Sequence, residues 1–223
     1  MKVKTMALAI AGITLCAPSH AALSYTGTFA QDDGQSVFDF TLASATSVTL
    51  RTWSFAGGTN AGGMSISPGG FAPVLSLFDA GGEQDLLALD RDGGPGSCGP
   101  RAVDTISGFC WDAYLNLPLV AGSYVLVLTE DDNTPNGPTL ADGFLRDGQG
   151  NFTAGLFGGA PGSSFILADG SQRTNMWAVD LIGVDSQATA PEPGSAAMLM
   201  LGIAFLLSRR RLKHPQNSSF NAN

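Results

Sequence analysis

The side chains able to do chemistry in this chain are nearly all carboxylates. Of its 19 aspartates and glutamates, 18 fall between residues 22 and 190, where they face five arginines (Arg51, Arg91, Arg101, Arg146 and Arg173) and no lysine or histidine. The two histidines, His20 and His214, stand near the chain ends. Nucleophilic catalysis by a Ser–His–Asp or Cys–His arrangement needs an imidazole, and the common zinc sites need more His and Cys than this body holds. Those classes are excluded. Paired carboxylates for glycoside hydrolysis stay open on composition alone, so a non-enzyme is the expectation and a carboxylate-dependent secreted hydrolase the alternative. An acidic surface of this kind also excludes nucleic acid, whose phosphates are held by Lys and Arg.

Two stretches gather oxygen donors of the type calcium takes, six to eight at a time. Asp90 and Asp92 sit in an Asp-x-Asp-Gly turn, and Asp131, Asp132, Asn133 and Asp142 make a second cluster. Neither is an EF-hand loop, because the position twelve along from Asp90, where a bidentate Glu belongs, is Arg101. Asp-Gly and Asp-Asn pairs are also ordinary turn formers, so a structural reading of the same residues stands beside calcium. Cys98 and Cys110 are the two cysteines of the body. In an exported chain such a pair is expected to form a disulfide closing a short Gly/Pro-containing loop.

The elements that must position these residues are almost all extended. Residues 35–42 alternate, with Phe38, Phe40 and Leu42 on one face, and 45–55 are rich in Val, Thr, Trp and Phe. Further strands are expected at 23–29, 73–78, 85–89, 113–117, 123–129, 164–167 and 176–184, separated by Gly, Asp, Asn and Pro clusters. No amphipathic helix is evident. The body therefore reads as all-β, an antiparallel β-sandwich or jelly roll, with Phe38, Phe40, Trp53, Phe78, Tyr124 and Trp177 as core anchors. Two connections are long. Residues 56–70 are glycine-rich without the Gly-Lys-Ser/Thr ending of a phosphate loop, and read as a flexible hairpin-type link; 130–161 exceed an ordinary loop, the mark of a functional, ligand-ordered or disordered segment.

Both ends read as targeting segments. Lys2 and Lys4 precede an apolar run, and Ser19-His20-Ala21 offers small residues for signal peptidase, so 1–21 reads as a removable secretory signal helix. Residues 22–186 form the domain. Beyond it come Pro191-Glu192-Pro193, 13 uncharged residues at 195–207, Arg209, Arg210 and Arg211, and a polar tail, 214–223. A helix over 195–207 would extend about 20 Å, short for a hydrocarbon core of about 30 Å, and the arginines favour the cytoplasmic side.

This arrangement resembles the PEP-CTERM sorting signal of Gram-negative bacteria: triplet, short transmembrane segment, arginine cluster. The polar tail departs from that pattern. The resemblance implies an exosortase as partner, an inner-membrane intermediate, and release or attachment at the cell surface among exopolysaccharide. The body, through Arg51-Thr52-Trp53-Ser54-Phe55, Asp112-Ala113-Tyr114, Ala121-Gly122-Ser123-Tyr124 and Asp131-Asp132-Asn133, resembles an uncharacterised group of such exported proteins similar to the bacterial pre-peptidase C-terminal β-sandwich. What that implies is an accessory, non-catalytic domain; with the two targeting segments and the missing catalytic residue types, a non-catalytic surface or extracellular-matrix protein is the expectation. A glycan- or calcium-binding module is the alternative, with Trp111 and Tyr114 as aromatics able to stack on sugar.

Overall fold

The computed structural model describes residues 20–91 and 98–185. The signal segment ahead of His20, Asp92, and all of the C-terminal sorting stretch lie outside the described residues.

Among the described residues ten strands carry the body: β1 (His20–Thr28), β2 (Ser36–Leu42), β3 (Thr46–Thr52), β4 (Gly58–Thr59), β5 (Ser65–Ile66), β6 (Pro73–Asp79), β7 (Leu86–Asp90), β8 (Tyr114–Leu119), β9 (Gly122–Glu130) and β10 (Met176–Asp185). One four-stranded sheet runs β1-β10-β3-β8, a second β2-β9-β6-β7, and β4 and β5 form a small hairpin. Every neighbouring pair within the sheets is antiparallel. The expected β-sandwich is the fold. The only α-helix among the described residues is α1 (Thr153–Phe157), and no helix there is long and apolar enough to cross a membrane.

The register follows from side-chain alternation. In β2, Phe38, Phe40 and Leu42 are buried while Val37, Asp39 and Thr41 are exposed, so a slip of one residue would turn the whole apolar set outward. These meet Leu75 and Leu77 of β6 and Leu126 and Leu128 of β9 within their own sheet. From the facing sheet come Val48 and Leu50 of β3 and Val179 and Leu181 of β10. Burying each such side chain contributes about 1.5–3 kcal/mol relative to leaving it in water. Of the expected anchors, Phe38, Phe40, Phe78 and Tyr124 are buried, whereas Trp53 and Trp177 are half-buried at the margin.

Strand β9 is buried on both faces along most of its length, because the long connection after it folds back over the second sheet. Phe144 from that connection packs with Phe78, Val125 and Val127, closing a second cluster on the sheet's outer face. The connection is thus a packed cover. Residues 164–167 do not form the expected strand; Ile166 makes only an isolated bridge to Gln172. The amides of Phe165 and Ile166 donate instead to the side chains of Asp32 and Thr153, so no ladder is available to them.

Candidate functional site

The carboxylates expected at a solvated surface divide in two. Asp32, Asp104, Asp112, Glu130 and Asp180 are buried, so part of the acidity lies inside the fold. Four of the five aim at loop N–H and O–H donors. Asp112, just ahead of β8, accepts from the Thr52 hydroxyl (2.8 Å) and from the amides of Phe55 (3.1 Å) and Ala56 (2.8 Å), fixing the start of the glycine-rich connection. Asp180 of β10 accepts from the Ser24 hydroxyl (2.5 Å), the Trp53 indole (2.6 Å) and the Ala61 amide (2.8 Å), so it ties β1, the residue after β3 and that connection together. Asp104 takes the Arg173 guanidinium at 2.9 Å. Asp32 accepts from the amides of Thr153 (3.0 Å) and Phe165 (2.8 Å) and from the Thr153 hydroxyl. A buried carboxylate is tolerated when its lone pairs are matched in this way.

The electrostatics follow the partners. Burial pushes the Asp112 carboxyl up, against the opposing pull of its amide and hydroxyl donors. Burial acts the same way on Asp104, but there Ser107 and Arg173 outweigh it and hold the group below the usual carboxylate range. At Asp112, where every donor is neutral, desolvation prevails; at Asp104 the Ser107 hydrogen bonds and the Arg173 guanidinium together prevail over it.

These anchors shape a groove of about 390 Å³ at one edge of the first sheet. β1 supplies Thr26, Gly27 and Thr28, the opening of β10 supplies Met176 and Trp177, and the hairpin supplies Met64, Ser65 and Ile66 with Ser67 beyond it. Gly27 pairs with Trp177 across the ladder, and a β-carbon on Gly27 would lie 2.3 Å from the indole ring. Only glycine leaves room for that ring. Trp177 also packs on Phe29 and, edge-on, on Phe38, while its indole N–H is buried with no protein partner. Met64 and Met176 are exposed. The lining holds no charged residue and a rim of threonine and serine hydroxyls. Such a surface accepts a neutral, hydroxyl-bearing ligand, apolar contact fixing the body and the hydroxyls its orientation.

Each expected calcium ligand among the described residues is engaged by the protein itself. Asp90 holds Arg101 through both oxygens (2.7 and 2.8 Å) and accepts the Tyr114 amide. Asp131 and Asp132 share Arg91, at 2.8 and 3.0 Å. Asn133 is buried, accepting the Arg146 amide through its side-chain oxygen and donating to the Asp33 carbonyl. Asp142 caps its own 3-10 turn at Thr139. Among the described residues no group of three or more His, Cys, Asp or Glu is arranged to hold a metal ion. Cys98 and Cys110 form the expected disulfide. Trp111 is not an open sugar platform, since its ring stacks on Phe109 at 4.5 Å and tilts against Phe55 at 5.1 Å. Tyr114 neighbours Arg51, whose guanidinium carbon lies 5.8 Å from the ring centre. The groove was missed because its parts are 26–28, 54, 64–67 and 176–177, four stretches with no shared spacing. Gly27, a glycine inside an apolar-alternating strand, was the one local sign of a close approach.

An antiparallel two-sheet sandwich with an uncharged edge groove is the class this chain defines. No protein-family model matches it, and no curated protein does. Among solved structures it is similar to the pre-peptidase C-terminal domain of collagenase from Bacillus anthracis, at 12% identity and a TM-score of 0.33, covering 71% of this chain and 85% of that one. A likeness at that TM-score carries no argument about what this chain binds.

Proposed function

We propose that this chain is an exported, non-catalytic surface or extracellular-matrix protein, sorted through a C-terminal PEP-CTERM-like signal, whose sandwich holds extracellular polysaccharide in the groove beside Trp177. The observation that carries the binding half is the groove itself. On a body whose charge is overwhelmingly negative, its lining is free of charge, rimmed with hydroxyls and includes the Trp177 side chain. Neutral sugar hydroxyls satisfy such a site, whereas a polyanion would be repelled by the surrounding carboxylates. The address half rests on the order of Pro191-Glu192-Pro193, the apolar run and the arginine cluster. The partners on this reading are signal peptidase, an exosortase, the inner membrane as a way-station, and the polysaccharide.

Two experiments test the two halves separately. Affinity electrophoresis through gels containing neutral or acidic exopolysaccharide should retard the protein in the neutral gel, and Met64→Asp should abolish the retardation by bringing a charge to the groove. Equal mobility of wild type and variant in every gel would remove the groove from the function. Fractionation of cells with and without the sorting enzyme, with the C-terminal mass determined, tests the address. Unchanged distribution and unchanged mass would end that part of the proposal.

A further inference from the structure

We propose that the cavity at the end of β9, floored by the Glu130 carboxyl, is a binding site for a single primary ammonium group carried on a body no larger than one six-membered ring. Glu130 is the last residue of β9 and is 1% exposed, yet one of its carboxyl oxygens is buried with no hydrogen-bond partner. It differs in this from the four buried aspartates, whose carboxylates are met by loop donors. The same side chain lines a cavity of about 150 Å³. Ala72 and Leu167 are buried with it on the floor, Trp111 and Phe157 stand half-buried at the sides, and Ala168 is exposed at the mouth. A cavity of about that volume takes a benzene-sized ring.

The walls are built elements. Asp32 fixes Thr153, which opens α1, and so places Phe157 at the helix end; it also fixes Phe165, two residues ahead of Leu167. The Asp131 amide donates to the Ala72 carbonyl at 2.9 Å, which seats the turn after β9 against the start of β6.

The chemistry of the lining selects the ligand. Only Glu130 and Asp131 offer carboxylates here, and Asp131 is engaged by Arg91, so the oxygen count is far below the six to eight of a calcium site. One buried anion among aromatic and aliphatic walls instead matches one compact cation on an apolar or sugar frame. The groups whose charge reaches Glu130 are Asp131, Asp32 and Asp132, all of one sign, and Arg146, opposed to them. Their sum draws a cation inward. Burial first, and those carboxylates second, push the Glu130 carboxyl well above its ordinary value, so a proton leaves Glu130 for solvent as the ammonium seats.

The test is titration calorimetry of the full-length protein with n-butylammonium, glucosamine, N-acetylglucosamine and glucose, in two buffers of different ionisation heat. Binding of n-butylammonium or glucosamine, with proton release and none for the acetylated or uncharged sugars, is the expected result. Butylammonium alone points to a lysine-like or polyamine tail as the natural source, and glucosamine to an amino sugar. Glu130→Gln keeps the side-chain shape and should weaken binding at least tenfold. Ala168→Phe, which fills the mouth without touching the floor, should do the same, and a cooperative melt no lower than that of the wild type certifies the fold of either variant. Absence of heat with both amines, equal affinity of Glu130→Gln, or equal binding of the acetylated sugar would each overturn the proposal. Trp177→Ala should leave amine binding intact, so failure here and failure of the groove are separate results.

Discussion

Replacing Glu130 by glutamine should make the protein more stable at neutral pH and leave it nearly unchanged in acid. In the fold this carboxyl is pushed well above its ordinary 4.5, by burial first and then by Asp131, Asp32 and Asp132. A raised folded value means that the native state binds its proton more readily than the unfolded state. Below about pH 4.5 both states are protonated and this contribution to stability is fully present. As pH climbs from there the unfolded chain ionises while the native chain holds its proton. The wild type then loses up to about 1.4 kcal/mol per pH unit, until the pH passes the folded value. Glutamine has no proton to hold, so the difference in stability, variant minus wild type, rises over that window and then levels. For a domain of this length 1 kcal/mol moves Tm by about 2–4 °C, so the Tm difference should grow by up to about 3–5 °C per pH unit. Calorimetric melts in acetate and phosphate at constant ionic strength, with amine buffers avoided, are the assay. A difference that stays flat between about pH 4 and 7, or that shrinks as pH rises, would refute an uncompensated Glu130.

Two further outcomes follow from particular contacts. Cys98→Ser with Cys110→Ser opens a link spanning 12 residues and should cost about 3 kcal/mol in urea unfolding. A loss under about 1 kcal/mol would show that the ion pairs of Arg101 with Asp90 and Arg173 with Asp104 hold the segment without it. Gly27→Ala forces a methyl to within 2.3 Å of the Trp177 ring, and overpacking of this kind costs about 1–3 kcal/mol while displacing the indole from the groove wall. Tryptophan fluorescence and Tm that match the wild type would show that the ring does not pack against Gly27.

Alternation was the most legible property of the chain. The period-two pattern of residues 36–42 placed β2 and its buried face correctly, and eight of the nine expected strands appear within a few residues of their expected bounds. The exception, 164–167, fails for a reason no local pattern carries: the donors that would join a ladder point to Asp32 and Thr153, which lie 133 and 13 residues away. Distant side chains likewise decided the carboxylates. Asp104, Asp112 and Asp180 sit in turn-like or alternating surroundings that suit exposure, and each is buried because loop amides, a hydroxyl, an indole or a guanidinium from elsewhere meet it.

Sequence by itself determined the fold class and the disulfide, since cysteine number and side-chain period are properties of residue types and their near neighbours. Only the tertiary structure decided which acids are organisers, that an oxygen of the buried Glu130 is left unmatched, and where an uncharged groove lies on an acidic body. Those depend on which segments meet, and a carboxylate's role is fixed by its donors, which in Asp180 come from β1, the residue after β3 and the glycine-rich connection and for one oxygen of Glu130 do not come at all.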